Sequence, residues 1–326
     1  MKSEYIAILI VVLVAIAGLT LYDYIKTKSP SSVIITAQQN TQRIVSLAPS
    51  DTQILVSLGL GKHIIGIDEY SYQLLKYLNM TSQLPSNVTI FQQIYPPNIS
   101  GIVSLNPTKV VGEIGLLGSY VGKLNASGLH LVLTNNDYAS NFYQIEDSIK
   151  YLGNIFNSTN QSQELINWMN SKISNFTTSG NSTVAYLLWI CPNEEFYTAG
   201  GNTFISNIIS LSGGINVFAG YSDYPVLDPS QLIESNPHVI IVQEIYNVSY
   251  TEYLISHLPG IQNVTAYKEH RIYILSEGMP ANLMNEPGPL AVYSIQMIKL
   301  IINGEAPQYI NTSWIIKNIN PDLPVF

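Results

Sequence analysis

The sequence predicts an α/β protein with two Rossmann-like α/β lobes, which are joined by a single long α-helix and preceded by an N-terminal transmembrane or signal segment. Two observations predict the lobes. Strand and helix patterns alternate in two separate regions, which is typical of mainly parallel sheets covered on both faces, and a stretch of helical spacing separates these regions. The expected boundaries are an anchor at 1–28, a linker at 29–41, an N-terminal lobe at 42–142, a helical linker at 143–180 and a C-terminal lobe at 181–326.

The N-terminal segment is an apolar run from Tyr5 to Tyr22, and its 18 residues are enough to cross a membrane. It is either a retained signal anchor or a signal peptide cleaved near Ala15-Ile16-Ala17. The run continues past that site to Leu21, which favours the anchor. Both alternatives place the rest of the chain outside the cytoplasm. No cysteine lies near the run, so a lipid-modified N-terminal cysteine is excluded.

The N-terminal lobe is predicted to begin at Arg43, after a spacer rich in Ser, Thr and Gln. Short apolar segments with the composition of strands alternate with helical patterns from this point onward. The first helical pattern, DTQILVSLGLG, closes on glycine, which is a common helix stop. The segments predicted as strands are RIVSLAPS, HIIGIDEY, TKVVGEI and HLVLTNN.

Helical spacing dominates the middle of the chain, with one helix predicted at 143–152 and another at 160–173. The alternation then restarts through TVAYLLWI, FISNIISLSGG, HVIIVQEI and RIYILSEG, and it ends on the helix AVYSIQMIKLII. In each lobe a helical pattern stops at an Asn-Pro pair, at Asn106 and at Asn236, because proline disfavours helix in the residue before it. This repetition supports two similar lobes.

The composition excludes several classes of function. Charged residues make up 11% of the chain, against roughly 25% in ordinary soluble domains. The net charge of −8 and the absence of a basic cluster argue against a nucleic-acid partner. The sequence contains no Gly-rich phosphate loop, no G-x-S-x-G elbow and no H-E-x-x-H motif, and we therefore do not expect an enzyme. Cys191 is the only cysteine, so no intramolecular disulfide forms.

Glycosylation acceptors of the type Asn-x-Ser/Thr occur more than twice as often as chance predicts. There are 11, whereas 29 Asn and 51 Ser plus Thr residues would produce about 4 to 5 at random. This excess predicts a glycosylated surface and, together with the anchor, suggests an archaeal cell surface. The acceptors are Asn79, Asn87, Asn98, Asn125, Asn157, Asn160, Asn175, Asn181, Asn247, Asn263 and Asn311.

Five segments resemble, in chain order, the family of binding proteins for cobalamin, ferric siderophores and haem. They are RIVSLAPSDTQILVSLGLGKHIIGID, SLNPTKVVG, YTAGGNTFISNIISLSGGINVFAG, LIESNPHVIIV and LPGIQNVTAYKEHRIYIL, and they span Arg43 to about Gly304. The resemblance implies two lobes bridged by one long helix and a ligand held between them, at the loops that follow the carboxyl ends of the strands. It also implies delivery of that ligand to an ABC importer. It does not specify the ligand.

The loops that would face this cleft are rich in aromatic residues. A rigid aromatic wall gives a large flat ligand much contact area at a small cost in rotamer freedom. We expect a corrinoid or a ferric chelate, with cobalamin or a ferric siderophore favoured over haem, and no separate cofactor or metal site. The expected ligand-binding residues are Tyr70, Tyr72, Tyr95, Tyr138, Trp189, Tyr197, Tyr224, Glu277 and Met279.

Three carboxylates, Glu113, Glu277 and Glu286, follow strands in the same class of loop and can bond polar ligand groups, although solvated loop carboxylates are the simpler interpretation. The histidines are expected at strand starts and helix ends, away from the cleft. This placement argues against relatives that bind bare zinc or manganese through several His ligands. The five are His63, His130, His238, His257 and His270.

The family commonly docks its permease through one Glu on each lobe, and here the corresponding positions read Gln53 and Ser230. Gln53 also fits a capping box that begins at Ser50, and Asp228, followed by Pro229, fits a helix start. Asp51 and Asp228 lie close enough to substitute for the missing glutamates. Docking is therefore expected at these four positions, through either charged or neutral groups.

The leading hypothesis is a monomeric, extracytoplasmic substrate-binding protein that is held at the membrane by its N-terminal segment and works with an ABC permease and ATPase. One alternative is a glycosylated surface protein that has the same fold and no transport ligand. The other alternative is an enzyme on this fold, which the absence of catalytic motifs opposes.

Overall fold

The computed structural model describes residues 42–326, and the anchor and linker predicted at 1–41 lie outside the described residues. Within 42–326, no helix combines the length and the apolar character that crossing a membrane requires. The described part of the chain forms two parallel-rich sheets, one built from residues 44–134 and the other from residues 182–310.

The first sheet has five strands in the order β3-β2-β1-β4-β5, and every pairing is parallel. Its strands are β1 (Ile44–Ser46), β2 (Ile64–Asp68), β3 (Thr89–Phe91), β4 (Lys109–Glu113) and β5 (Leu131–Thr134). Its helices are α1 (Pro49–Ser57), α2 (Glu69–Tyr77), α3 (Ile99–Ser104), α4 (Ile114–Leu117) and α5 (Val121–Ala126). Short 3-10 turns lie at Gly61–His63, Thr81–Gln83, Gly118–Tyr120 and Asn136–Tyr138.

The order of the first sheet reverses beside its central strand. From β1 the chain moves outward to β2 and β3, and it then returns to place β4 and β5 on the other side. In open α/β sheets, a crevice forms at such a switch point, outside the carboxyl ends of the strands. The ends of β1 and β4 therefore mark the expected position of a site in this lobe.

Two helices connect the sheets, α6 (Phe142–Ile155) and α7 (Thr159–Phe176), and they pack against one another. The two helices predicted at 143–152 and 160–173 are confirmed with longer bounds, whereas the expectation of one continuous bridging helix is wrong because this pair takes its place. Asn157 adopts a left-handed conformation with φ of 56°, which asparagine tolerates better than most residues and which interrupts the helix. Gly153 permits the close approach of the two helices, since a Cβ there would lie 2.5 Å from the Ser162 Oγ.

The second sheet has the strand order β12-β11-β10-β6-β7-β9, with β8 also paired to β6. Its strands are β6 (Ser182–Ile190), β7 (Phe196–Thr198), β8 (Gly214–Asn216), β9 (Val226–Leu227), β10 (Val239–Gln243), β11 (Ile272–Leu275) and β12 (Tyr309–Ile310). All pairings are parallel except those of β7 with β6 and with β9. The mainly parallel α/β architecture predicted from the alternation is confirmed.

The remaining helices cover the second sheet. They are α8 (Phe204–Leu211), α9 (Pro229–Ser235), α10 (Val248–Ser256), α11 (Thr265–Lys268), α12 (Met279–Asn285), α13 (Val292–Ile302) and α14 (Thr312–Asn318), with 3-10 turns at Ile261–Asn263 and Pro289–Ala291. The two Asn-Pro stops are confirmed, because Asn106 and Asn236 both take left-handed φ values, of 45° and 41°.

One hydrophobic core passes through both lobes. A single cluster of buried side chains includes Ile44 of the first sheet, Tyr186 of the second and Ile149 of the connecting α6. At its centre the Phe142 and Phe204 rings meet edge to face, with their centroids 4.9 Å apart. Burial of this continuous apolar surface holds the two sheets in fixed positions relative to each other. A ligand site is expected in the space left between them.

Candidate functional site

A cavity of about 530 Å³ lies between the two lobes. The first lobe contributes side chains of α2, and the second contributes the ends of β10 and β11 together with α12. Its lining residues are Glu69, Tyr70, Gln73, Tyr77, Gln243, Glu277, Gly278, Ala281, Asn282, Asn285 and Glu286.

The topology of both sheets directs these residues toward the cavity. Glu69 and Tyr70 open α2 directly after β2, Gln243 is the last residue of β10, and Glu277 follows β11. Because the carboxyl ends of parallel strands meet at one edge of a sheet, the two lobes present equivalent edges to the same space. The position of the cavity agrees with the place where α/β proteins bind ligands.

Side-chain hydrogen bonds hold part of the cavity wall in place. Gln73 donates its amide to Glu69 over 2.6 Å, and Asn285 donates to the Gln243 side-chain oxygen over 2.9 Å. The buried Tyr186 hydroxyl donates to the Asn285 oxygen over 3.3 Å. Fixed polar groups of this kind set the orientation of a bound ligand.

The charge of the wall is negative. Glu69, Glu277 and Glu286 line the cavity, and within the part of the chain that the structure describes no Lys, Arg or His lines it. The side chains of Glu277 and Glu286 make no hydrogen bond or ion pair with another residue of 42–326, so their oxygens are available to a ligand.

Further carboxylates are buried at the strand ends of the first lobe, on the side of the cavity that Glu286 faces. Burial raises the pKa of Glu113 to about 7 and the pKa of Asp68 to about 6. Burial, followed by the negative charge of Glu113, also holds the pKa of Asp51 well above its usual range. The pKa of Glu286 is raised mainly by burial, and the negative charges of Glu113, Asp68 and Asp51 raise it further.

Neutral hydrogen-bond donors stabilise the buried carboxylates. Ser50 donates to Glu113 over 2.5 Å, and Thr134 donates to Asp51 over 2.8 Å. Asp68 accepts from both the backbone amide and the hydroxyl of Ser71. Since Ser50, Glu113 and Asp51 lie at the ends of β1 and β4, this network occupies the switch point of the sheet.

The lobes touch directly beside this network. The Gln53 side-chain oxygen on α1 accepts a hydrogen bond from the backbone amide of Leu290 over 2.9 Å. Gly288 lies against the same helix, since a Cβ there would lie 2.7 Å from that oxygen and 3.0 Å from the Cα of Ser50. The position of α1 is therefore fixed by both lobes.

This packing overturns the expectations for Asp51 and Gln53 as permease-docking residues. All nine residues of α1 are buried, so neither side chain can reach a partner protein. The capping box expected at Ser50 is also wrong, because the cap position is Ala48 and the Ser50 hydroxyl bonds Glu113 instead. The docking residues expected on the second lobe, Asp228 and Ser230, are exposed.

Asp228 begins α9 in a capping box, as the sequence predicted for a helix start at this residue. The Ser230 hydroxyl and amide both donate to its carboxylate, over 2.5 and 2.9 Å. These bonds hold the pKa of Asp228 below its usual value. The charge of this exposed group therefore persists into mildly acid solution.

Two of the expected aromatic ligand residues stand side by side on the second sheet. Trp189 of β6 pairs with Tyr197 of β7, which in turn pairs with Val226 of β9. The three side chains are 38, 42 and 43% exposed and form an apolar row across three strands, which we call the aromatic row. Tyr246 extends it, with its ring centroid 5.7 Å from that of Trp189.

The other expected ligand residues occupy different environments. Tyr70 and Glu277 line the cavity, and Tyr224 is exposed near Tyr186. The expectation for Met279 is wrong, because its side chain is fully buried in the core at the start of α12. Tyr72 packs partly against the core, and neither it nor the exposed Tyr95 and Tyr138 is among the cavity-lining residues.

Most of the cavity wall was missed in the sequence analysis. Gln243 and Glu69 had a usable signal, since each ends or directly follows a predicted strand. Asn282 and Asn285 had none, because the segment that contains them was assigned to a loop and is in fact α12. Of the three carboxylates proposed from the loops, Glu277 and Glu286 line the cavity, whereas Glu113 is buried behind it.

A second cavity of similar volume, about 520 Å³, lies beside α8 and β8. It is lined by small and amide side chains such as Asn202 and Asn207, together with Ser140 and Asn141 before α6. Of the parallel strands in the described residues, β8 lines it, along its whole length from Gly214 to Asn216. Within the described residues 42–326, no group of three or more His, Cys, Asp or Glu side chains is arranged to hold a metal ion.

Comparisons with known proteins agree with this architecture. A family model described as "Periplasmic binding protein" matches residues 44–278. An ABC transporter substrate-binding lipoprotein of Bacillus subtilis, YvrC, is 23% identical over 273 residues, which cover 80% of each chain. A cobalamin-binding protein of Halobacterium salinarum is also 23% identical over 273 residues, covering 80% of this chain and 69% of the relative.

A solved structure shows a similar fold. The periplasmic heme-binding protein RhuT from Roseiflexus sp. RS-1, in its apo form, superimposes with a TM-score of 0.67 at 22% sequence identity. The superposition covers 82% of this chain and all of the other.

Proposed function

This chain belongs to the periplasmic binding protein family, and from that premise we propose that it is the extracytoplasmic substrate-binding component of an ABC importer. Its ligand is a large metal chelate, either a corrinoid or a ferric siderophore, with haem less favoured. The chelate is bound between the lobes and delivered to the permease.

The inter-lobe cavity is the observation that carries this proposal. It lies at the carboxyl ends of the strands of both lobes, and it is lined by groups that bond polar ligand atoms. Its 530 Å³ is within the ordinary range of about 300–1,000 Å³ for ligand pockets. A corrinoid or a siderophore chelate is larger than this volume and would also need a surface at the mouth of the cavity.

The aromatic row supplies a surface of that kind. Trp189 and Tyr197 lie on the same face of the second sheet as Tyr186. The buried Phe196 and Leu227 lie on the opposite face. Tyr186 bonds the cavity residue Asn285, so the row and the cavity share one side of the sheet. Exposed aromatic side chains give a flat ligand contact area at a low entropic cost.

A binding screen tests the proposal. The full-length chain is titrated with cyanocobalamin, ferrioxamine B and haemin by calorimetry, and its thermal midpoint is followed in parallel, since a ligand of the native state raises the midpoint. We expect saturable one-to-one binding of a corrinoid or of the ferric chelate. A flat calorimetric trace and an unchanged midpoint with all three compounds would contradict the proposal.

The proposal includes a membrane-bound partner. Docking on the second lobe uses the exposed Asp228 and Ser230, and the N-terminal segment holds the chain at the outer face of the membrane. The test is binding to the permease complex in detergent. Asp228→Ala is expected to weaken that binding, and affinity equal to that of the unaltered chain would contradict the assignment.

Glycosylation of the surface is part of the same proposal. Ten of the eleven acceptor asparagines are exposed, the remaining Asn311 is partly buried, and none lines the cavity. Asn98, Asn247 and Asn311 cap helices with their side-chain oxygens, whereas none of the other eight is the cap residue of a helix. We expect glycans mainly at the eight, and intact-glycopeptide mass spectrometry of the native protein checks this distribution.

A further inference from the structure

We infer that the inter-lobe cavity selects a neutral or cationic chelate that presents N–H donors and discriminates against chelates that carry free carboxylates. The inference rests on the proposed function and narrows its ligand class. It follows from where the described acidic and basic side chains lie relative to the strands.

The cavity wall is rich in hydrogen-bond acceptors. Glu277 and Glu286 offer carboxylates without partners in the described chain, and Glu69 adds a third that is only partly satisfied by Gln73 and Gln92. The Gln73 oxygen is also free, because its amide nitrogen makes the bond to Glu69. Such a wall is matched by amide or amine N–H groups on the ligand.

Basic residues lie at the opposite edges of the two sheets. Six of the parallel strands begin at, or directly after, a Lys, Arg or His, and those amino ends point away from the cavity. The residues are Arg43 at β1, His63 at β2, Lys109 at β4, His130 at β5, His238 at β10 and Arg271 at β11. Among residues 42–326, no positive side chain therefore stands at the cavity wall to offset its acidic groups.

The carboxyl ends of the same strands carry acids. Asp68 ends β2 and Glu113 ends β4, while Glu244 follows β10 and Glu277 follows β11. Each lobe is thus basic at one edge and acidic at the other, and the acidic edges of both lobes face one cavity. This distribution of charged residues along the strands, rather than any single residue, sets the sign of the electrostatic potential in the cavity.

The acids beneath the wall reinforce this sign. Asp68 and Glu113 are buried next to the cavity, have neutral hydrogen-bond partners rather than cations, and have pKa values of about 6 and 7, so both are ionised at pH 8. Buried charges are poorly screened by salt, so a ligand carboxylate placed here meets repulsion that water does not remove. Like-charge contacts of this kind contribute strongly to the rejection of wrong ligands.

The test compares ligands that differ in one charged group. The first pair is cyanocobalamin and its monocarboxylic acid, in which one peripheral amide has been hydrolysed. The second pair is ferrioxamine B, which has a free amine, and its N-succinyl derivative, which ends in a carboxylate. The Kd of each compound is measured by calorimetry with the full-length chain at pH 8.

We expect the carboxylate member of the pair that binds to be weaker by about tenfold or more, as a single uncompensated like-charge contact predicts. In the Glu277→Gln/Glu286→Gln variant this ratio is expected to fall toward one, since both substitutions keep the side-chain size and neither Gln can carry a negative charge. The control Glu269→Gln lies on the exposed surface after α11, outside the cavity lining, and should keep the full ratio.

Glu277→Gln alone is measured as well, because its side chain is exposed and the substitution leaves the core untouched. An intermediate ratio is expected. Equal affinity for both members of a pair, or a ratio unchanged in both Gln variants, would overturn the charge selectivity while leaving the binding function intact. Absence of binding by all four compounds would overturn the proposed function and this inference together.

Discussion

The side-chain oxygen of Gln53 accepts a hydrogen bond from the backbone amide of Leu290, 2.9 Å away, and this buried contact joins the first lobe to the second. It links α1, which follows the central strand of the first sheet, to the turn that precedes α13. Beside it lie the buried acids of the first lobe. The cavity therefore has a rigid, polar boundary on this side, and substitutions there report on it.

Replacing Gln53 with Met should destabilise the protein. The shape is largely retained, but the Leu290 amide loses its acceptor in a buried position, which costs about 1–3 kcal/mol. The free energy of unfolding is measured by urea titration of the full-length chain, with the exposed Gln262→Met as a control. Unfolding of Gln53→Met at the same urea midpoint as the control would show that the contact contributes nothing.

Gly288→Ala tests the close approach of the lobes. The added methyl group would stand 2.7 Å from the Gln53 oxygen and 3.0 Å from the Ser50 Cα, so the lobes or α1 must move. We expect a loss of about 1–3 kcal/mol in the free energy of unfolding. Gly122→Ala in α5 is the matched control, since nothing lies within 4 Å of its added Cβ. A helical Ala there should be neutral or stabilising, and equal effects at the two positions would refute the steric explanation.

Because the pKa of Glu113 is raised in the folded protein, we expect the free energy of unfolding to depend on pH. This pKa rises from an ordinary 4.5 to about 7 in the folded protein, so the folded state binds a proton that the unfolded state has released between these values. The contribution of this group to stability is greatest below about pH 4.5, falls as the pH rises and reaches its minimum above about pH 7. The total change is on the order of 3 kcal/mol for this group.

Glu113→Gln removes that titration and keeps an oxygen that can accept from Ser50. We expect the urea midpoint of the variant to change less between pH 5 and pH 8 than that of the unaltered chain, and to be the higher of the two at pH 8. Glu164→Gln, on the exposed side of α7, is the control and should leave the original dependence in place. Parallel pH profiles for all three proteins would contradict the assignment.

Substitutions of Tyr70 and Tyr95 compare an aromatic residue that lines the cavity with an exposed one that does not. Tyr70 lines the cavity, whereas Tyr95 is 56% exposed and packs edge to face on Tyr120. Tyr70→Ala should weaken chelate binding by about tenfold, as expected for loss of an aromatic contact worth roughly 1.4 kcal/mol. Tyr95→Ala should leave the Kd unchanged. Calorimetric titration decides between them, and the opposite ranking would place the ligand at the edge of the first lobe.

Much of this fold was predictable because the patterns that indicate its helices and strands lie within short stretches of sequence. The alternation of strands and helices, the Asn-Pro stops at Asn106 and Asn236 and the start of α9 at Asp228 all depend on neighbouring residues. The helical spacing also predicted the two connecting helices, whereas the expectation of one continuous bridging helix did not allow for the left-handed turn at Asn157 that separates them. Short antiparallel strands such as β7 and β9 carried too few residues to show a pattern.

The site was harder to predict because its residues meet only through tertiary structure. The sequence placed Asp51 and Gln53 on an exposed helix start, but Leu290, which is 237 positions from Gln53, covers that helix. Met279 was assigned to a loop and instead begins a buried helix. Tyr70 and Glu277 reach the cavity since each closely follows a strand, and that rule, applied to every strand, would also have found Gln243.

The most direct test of the central claim is to fill the inter-lobe cavity and measure chelate binding. Asn282 lines this cavity and its side chain has no hydrogen-bond partner among residues 42–326, so Asn282→Trp occupies the space without breaking a side-chain hydrogen bond. Asn207→Trp fills the second cavity of similar volume and is the matched control. We expect Asn282→Trp to abolish calorimetric binding of the chelate and Asn207→Trp to retain it. Binding that survives Asn282→Trp and is lost in Asn207→Trp would contradict it.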